Sequence, residues 1–167
     1  FQDPDSGTIT INNVDIRDLT FDSLYRSVAF VLQDPHLLRM SIRDNIRLAR
    51  SEASDEEIWQ AAEAAHIAAD IRALPAGLDA VVGEDTALSG GQQQRISIAR
   101  AIITDAPILI LDEATAATDP DCEAEIQAAL ATLVKGKTVL VIAHKPESIQ
   151  GADQIIRLEP MKDNSHV

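Results

Sequence analysis

Short apolar runs recur along the chain, and they predict strands. Three continuous runs are typical of strands buried on both faces, at residues 27–32, 108–111 and 138–142. A shorter run at residues 154–158 predicts a last strand. Residues 8–16 alternate in period two on either side of Asn12 and Asn13, which predicts a hairpin with a two-residue turn. The pattern therefore predicts one hairpin followed by four strands with long connections.

Helical periodicity occupies those connections. Residues 41–74 have a helical pattern, in which Ser54 and Glu57 form a capping box. A further helix is predicted over residues 90–104, and another begins at Pro120 with Asp119 as its N-cap. The apolar positions of these helices are Ile58, Ala61, Ala62 and Ala65, then Ile96, Ala99 and Ile103, then Ile126, Leu130 and Leu133. Strands that alternate with helices predict an α/β fold with a parallel sheet.

Composition and charge narrow the classes of function. The chain has 167 residues, of which 46% are apolar and 25% charged, as expected for one globular domain. Its 14 Lys and Arg against 27 Asp and Glu give a net charge of −13, which disfavours binding to free nucleic acid. The single cysteine, Cys122, allows no internal disulfide, and this favours a reducing compartment.

Polar side chains follow three of the predicted strands. Gln33 comes after the first, Asp112 and Glu113 come directly after the second, and His144 follows the third. In an open parallel sheet, ligands bind beyond the carboxyl ends of the strands. Paired acids there allow one carboxylate to hold Mg²⁺ while the other activates water. Two helix-capping acids are the structural alternative, and the spacing of the pair alone does not decide between them.

A second candidate is the segment at residues 88–95, which has the sequence LSGGQQQR. Two consecutive glycines at a helix start let a ligand or another backbone approach closely. The free N–H groups and the positive end of the helix dipole favour an anion. A flexible linker is the alternative, but a linker would not lead straight into an amphipathic helix and then a buried strand that ends in two acids. The segment therefore predicts a phosphate site.

These motifs together resemble a known family. Residues 88–95 resemble the signature sequence of ATP-binding-cassette (ABC) ATPases, and residues 108–113, ILILDE, resemble their Walker B strand. Gln33 matches the Q-loop glutamine, Asp119 the closing aspartate of the D-loop, and His144 the switch histidine of the H-loop. The motifs occur in the family's order, and the resemblance covers almost the whole chain.

The resemblance implies a fold and a setting. The fold would be the parallel α/β sheet of a P-loop NTPase (RecA-like), with a helical subdomain at about residues 41–99. Residues 41–46 and 82–84 resemble segments that face the transmembrane coupling helices in exporter-type transporters. The implied partners are a second nucleotide-binding domain and transmembrane domains, with no nucleic acid, and the implied location is the cytoplasmic face of the cell membrane.

The resemblance also implies a role for each matched residue, with ATP and Mg²⁺ as cofactors. Asp112 and Gln33 would hold Mg²⁺. Glu113 would polarise the water that attacks the γ-phosphate, and His144 would contact that phosphate. Further nucleotide contacts are implied for Ser89, Gly90, Gly91, Gln92 and Asp119, with the nucleotide held mainly by the opposite cassette.

One family motif is missing from the sequence. The P-loop, Gly-x-x-x-x-Gly-Lys-Ser/Thr, does not occur, because the segment Gly136-Lys137-Thr138 has Ala131 where the first glycine is required. We therefore expect residues 1–159 to be the part of a nucleotide-binding domain that follows the P-loop, with residues 160–167 as a tail. By themselves they would bind ATP poorly and hydrolyse it negligibly.

Other interpretations differ in class. A truncated, catalytically silent cassette could act as a binding or regulatory module. A nucleic-acid ATPase of the same superfamily would carry a long coiled coil between Gln33 and Ser89, where this chain has short helices. Trp59 and His66 are interpreted as structural, because no second ligand-type residue stands at helical spacing from His66.

Overall fold

The computed structural model describes residues 2–114, 120–144 and 151–158. Its strands are β1 (Thr10–Ile11), β2 (Val14–Asp15), β3 (Val28–Val31), β4 (Ile108–Asp112) and β5 (Thr138–Ile142). Its helices are α1 (Phe21–Ser27), α2 (Ile42–Arg47), α3 (Asp55–Ala64), α4 (Ala68–Ala73), α5 (Gly90–Thr104) and α6 (Pro120–Leu133). Short 3₁₀ turns cover Ile16–Asp18 and Gly77–Asp79.

The fold is built around a parallel sheet, as the sequence predicts. Its order is β3-β4-β5, so β4 lies in the centre. Val31 pairs with Leu111, and Asp112 pairs with Ile142. All three strands consequently end at the same edge of the sheet. The predicted α/β class is confirmed.

The hairpin β1-β2 is antiparallel, as predicted. Asn12 and Asn13 lie between its strands with φ of 49° and 65°. Two successive positive φ values are what a type I′ turn requires, and asparagine tolerates them better than most residues. The turn chemistry in the sequence therefore accounts for this element.

Helix α5 is the central packing element. It contacts α2, α3, α6 and β3. Its predicted stripe is confirmed, with Ile96 and Ala99 fully buried and Ile103 nearly so. The predicted buried positions of α3 and α6 are confirmed in the same way. The capping box of Ser54 and Glu57 at the start of α3 also forms as predicted.

Two predictions about strands are wrong, and one helix was missed. Residues 154–158 form no strand, and Ile155, Ile156 and Leu158 are 62%, 71% and 89% exposed. An apolar run becomes a strand only when it has a neighbour to pair with, and none of the residues that the structure describes pairs with this one. Strand β5 is exposed on most of its length instead of buried, because it lies at the edge of the described sheet. The sequence interpretation also missed α1, which Thr20 caps.

Glu57 makes the stability of α3 depend on pH. The backbone N–H of Ser54 and the guanidinium of Arg50 hold the pKa of Glu57 at about 2. A lowered pKa stabilises the fold above the ordinary value of 4.5, and that contribution is lost as the pH falls towards 2. We expect Glu57→Ala to lower the thermal unfolding midpoint at pH 6 and to converge with the wild type near pH 2. Glu56→Ala, in the same helical turn, is the control, and a difference that persists at pH 2 would contradict this assignment.

Candidate functional site

The carboxyl edge of the sheet brings the predicted catalytic residues together. Glu113 Oε1 lies 3.2 Å from His144 Nε2, across the ends of the neighbouring strands β4 and β5. Asp112 is the last residue of β4, and Gln33 lies two residues beyond β3. The Glu113 side chain is 28% exposed and that of His144 is 83% exposed. A carboxylate and an imidazole therefore face each other at a solvent-accessible edge.

The backbone at Glu113 is unusual. Its φ is 43°, in the left-handed region that residues other than glycine rarely adopt. Its N–H donates to the carbonyl of Ile142 at 3.1 Å, one residue beyond the last β4-β5 pair. Left-handed backbone at a glutamate is strained, and such strained residues cluster at functional sites as well as in turns and helix caps. The turn ends β4 and directs the Glu113 carboxylate towards His144.

The glycine-containing segment forms the start of α5. Ser89 is the N-cap: its Oγ accepts from the N–H of Gln92, and Gln92 Oε1 accepts from the N–H of Ser89. Gln92 Nε2 also donates to Asp70 Oδ1 at 2.7 Å. The amide of Gln92, predicted to contact nucleotide, is therefore engaged within its own chain. Ser89 remains exposed and available at the helix end.

The two glycines meet different surroundings. A Cβ at Gly91 would lie 1.7 Å from the Sγ of Cys122 on α6, so this glycine allows α5 and α6 to pack closely. A Cβ at Gly90 would meet nothing within 4 Å. Neither glycine has a positive φ, so backbone freedom does not explain either one. Gly91 has a packing role, and Gly90 leaves an open surface beside Ser89.

Arg95 anchors this segment to the neighbouring helices. Its side chain is 6% exposed and pairs with Glu125 of α6 at 2.6 Å and with Asp70 of α4 at 3.3 Å. It also donates to the carbonyl of His66 at 2.5 Å. His66 thus contributes through its backbone, consistent with its structural interpretation. A buried arginine with two acids and a carbonyl is well satisfied and holds three helices together.

Sequence reasoning missed one buried polar residue, Gln94, which lies between the start of α5 and the carboxyl edge of the sheet. Gln94 is 5% exposed, and its Nε2 donates to the carbonyls of Leu32 and Ala114. A glutamine four residues before the buried Ile98, on the core side of an amphipathic helix, was the available signal. Among the residues that the structure describes, no hydrogen bond or ion pair joins Ser89, Gly90 or Gly91 to Glu113 or His144.

The predicted metal ligands are an incomplete set by themselves. Within residues 2–114, 120–144 and 151–158, no group of three His, Cys, Asp or Glu side chains could hold a metal ion. Mg²⁺ is commonly held by one or two protein oxygens together with substrate phosphates. Asp112 and Gln33, at the ends of adjacent strands, supply oxygen ligands of the preferred kind, so they fit an ion carried by a nucleotide. The predicted Asp119 lies outside the described residues.

Two segments that were predicted to face transmembrane domains lie side by side. Ser41 and Val81 form an isolated antiparallel β-bridge, and the N–H of Val82 donates to the carbonyl of Met40 at 3.1 Å. Arg39 pairs with Glu84 at 3.1 Å on the exposed side of this contact. No helix in the described part of the chain is long and apolar enough to cross a membrane. The first segment is the start of α2, and the second adjoins it there.

Comparisons with known proteins agree with these motifs. The family model described as ABC transporter matches residues 1–116. The chain is 51% identical over 159 residues to the mycobactin import ATP-binding/permease protein IrtA of Mycolicibacterium smegmatis, covering 95% of this chain and 18% of that protein. It is 51% identical over 158 residues to the ATP-dependent lipid A-core flippase of Vibrio cholerae, covering 93% of this chain and 27% of that protein.

A solved structure has the same fold. A bacterial Atm1-family ABC exporter with ATP bound matches with a TM-score of 0.79 and 39% identity, over 90% of this chain and 27% of that one. The chain therefore spans between about a fifth and a quarter of the length of these proteins. The two relatives named above differ in what their names say they move.

Proposed function

The chain belongs to the ABC transporter family, and on that premise we propose that it supplies the catalytic-carboxylate, switch-histidine and signature parts of an ATPase that drives transport across a membrane. One observation carries this proposal: Glu113 and His144 lie 3.2 Å apart at the sheet edge, directly beside Asp112. This is the arrangement needed to orient a water molecule next to a nucleotide phosphate.

The residues at this edge have separate tasks. Glu113 polarises the attacking water through its carboxylate. His144 Nε2 lies beside that carboxylate, and the exposed imidazole ring is accessible to the γ-phosphate, which it contacts. Asp112 and Gln33 would hold Mg²⁺ that arrives with ATP, and when bound the ion neutralises the charge on the phosphate oxygens. The protein residues thus position water and phosphate, which is most of what phosphoryl transfer requires.

Each complete site is shared between two cassettes in this proposal. Ser89 and Gly90 present an exposed helix start, which favours a phosphate group. The described contacts do not join this helix start to Glu113 or His144 of the same chain. We infer that Ser89, Gly90 and Gly91 close over the γ-phosphate of a nucleotide held mainly by a second nucleotide-binding domain. ATP hydrolysis then depends on dimerisation.

Ser89→Arg tests this shared site. In a heterodimer with one competent site, we expect the substitution to impair turnover at the site whose nucleotide lies on the partner, because the longer cation would occupy the phosphate position. ATP turnover of the intact protein is the measurement. Ser54→Arg removes the same kind of N-cap and capping box from α3 and serves as the control. Unchanged turnover in Ser89→Arg would count against a shared site.

We assign the surface formed by residues 41–46 and 82–84 to contact with transmembrane domains. The contact between these two segments at the start of α2 supports this assignment. A groove of 330 Å³ includes Leu48, the C-cap of α2, in its lining, together with Leu32, His36, Ala49 and Arg100 among others. The exposed Leu48 gives it an apolar wall, which suits an amphipathic helix. Burial lowers the pKa of Arg100, and this guanidinium donates to the carbonyl of Asn45 at 2.8 Å.

A catalytically silent module is the second candidate, because no P-loop occurs among the 167 residues. Backbone N–H groups and a lysine of a P-loop normally cradle the phosphates. We therefore propose that these residues alone hydrolyse ATP negligibly. The deciding experiment is Mg²⁺-dependent ATP turnover of the intact protein, purified as its own cell makes it. Turnover supports the transporter ATPase, and its absence in protein that still folds supports the silent module.

A further inference from the structure

Gln94 connects the start of α5 to both loops of the candidate catalytic edge. Its side chain is buried, at 5% exposure. The single Nε2 group donates to the carbonyl of Leu32 at 3.1 Å and to the carbonyl of Ala114 at 3.2 Å. Leu32 directly precedes Gln33, and Ala114 directly follows Glu113. One side chain thus contacts the backbone next to two residues of the site.

The position of this contact matters because the strands no longer pair there. The register of β3 with β4 ends at Val31 and Leu111. Beyond that pair, no further β3-β4 ladder bond is formed among the described residues. Each of the two strands leads into a loop there. At this point the two N–H groups of the Gln94 amide donate to the backbone carbonyls of both loops, in place of hydrogen bonds between the strands. Gln94 therefore joins the two loops at the point where the β3-β4 ladder has ended.

Burial of the Gln94 amide destabilises the fold at one atom. Gln94 Oε1 is buried and has no hydrogen-bond partner within the described residues. An apolar side chain of similar volume would fill the same space without leaving an acceptor unsatisfied. The orientation is nevertheless unambiguous, because an amide oxygen facing two carbonyl oxygens would be repelled. A buried group that breaks a local rule in this way is expected where function requires it.

We propose that Gln94 is a positioning residue that fixes the spacing of Gln33 and Glu113 and ties it to the signature segment of α5. The inference rests on the proposed function, since it gives the site of ATP hydrolysis an internal support. Gln94 lies five residues, about 7.5 Å along the helix, from Ser89. Movement of the helix start on meeting a nucleotide would therefore reach both catalytic loops through one amide.

Gln94→Met in the intact protein tests the proposal, because methionine keeps the volume and removes both donors. We expect kcat for ATP to fall about tenfold or more, with KM within about twofold of the wild type, since the loops are misplaced while nucleotide binding is retained. We also expect the exchange of the hydrogen-bonded backbone amides that border the two loops, at the carboxyl ends of β3 and β4, to quicken about tenfold together. The backbone N–H of Glu113, which donates to the carbonyl of Ile142, is one amide whose exchange rate measures this change directly.

Two controls separate positioning from loss of stability. Gln93→Met changes the neighbouring glutamine, whose amide donates only within its own segment, to the carbonyl of Leu88. Ile58→Val removes one methyl group from the core on α3, outside both loops. If kcat in Gln94→Met stays at the wild-type value, or falls only as far as in Ile58→Val, the inference is wrong.

The proposed function and this inference fail in different ways. If the wild-type protein shows no ATP turnover, the proposed function is wrong. The positioning role of Gln94 is then tested by amide exchange alone. Faster exchange at the borders of both loops in Gln94→Met, with neither control reproducing it, supports the positioning role. Exchange that is unchanged, or faster beside one loop only, overturns it.

Discussion

Glu113→Gln abolishes ATP turnover in the intact protein and leaves the ATP-bound dimer assembled: this is the largest effect that we expect from a single substitution. The amide keeps the size of the side chain and its contact with His144 but loses the negative charge that polarises water. Loss of a positioned general base costs about 10² to 10⁴ in rate. Turnover and the fraction of dimer in the presence of Mg²⁺ and ATP are the two measurements.

The comparison for this variant is Glu56→Gln, which makes the same chemical change on the exposed first turn of α3. Its turnover should equal that of the wild type. If Glu113→Gln loses dimer as completely as a nucleotide-free sample, the role assigned to Glu113 is wrong. Residual turnover within about threefold of the wild type would contradict it too, because it would leave less than the smallest effect expected for a general base.

The second large effect separates Gly91 from Gly90. We expect Gly91→Ala to destabilise the protein by about 1–3 kcal/mol, because the new methyl group would overlap the Sγ of Cys122 and force α5 and α6 apart. Gly90→Ala should change stability by less than about 0.5 kcal/mol, since its methyl group meets open space. Yet Gly90→Ala should reduce turnover about tenfold or more if a partner's phosphate approaches there. Denaturant unfolding and ATP turnover give the two readings.

A double substitution makes this test specific. Cys122→Ala removes the Sγ and leaves its Cβ 3.4 Å from the position of a Cβ on Gly91, which is an ordinary contact. Gly91→Ala should therefore recover most of its stability when combined with Cys122→Ala. Failure of the double variant to recover would mean that the close packing of α5 on α6 is not the reason for Gly91. Loss of stability in Gly90→Ala would contradict the distinction between the two glycines.

The local elements were largely predictable from the sequence because their signals are local. Helix α5 spans Gly90–Thr104, the same residues over which the sequence predicts it. Strand β4 ends at Asp112, where the apolar run stops. The place of Gln33, Glu113 and His144 at one edge also follows, because parallel strands end together. The contact between Glu113 and His144 agrees with that expectation.

What the sequence could not supply depends on contacts between distant segments. The two adjacent glycines are chemically identical, and only the position of α6 gives Gly91 a packing role. Gln94 belongs to a polar run, and its burial against two loops required the packing of α5 on the sheet. The exposure of residues 154–158 likewise depends on which strand lies beside them, and an apolar run carries no information about that.

Gln94 and Arg95 are consecutive residues that hold α5 from two directions. The first is bonded to the loops at the sheet edge, and the second is paired with α4 and α6. Their side chains leave the helix about 100° apart, because the helix has 3.6 residues per turn. Contacts from two directions at one level oppose sliding of the helix along its axis. Helix α5 is therefore fixed in register about one and a half turns from its exposed start at Ser89.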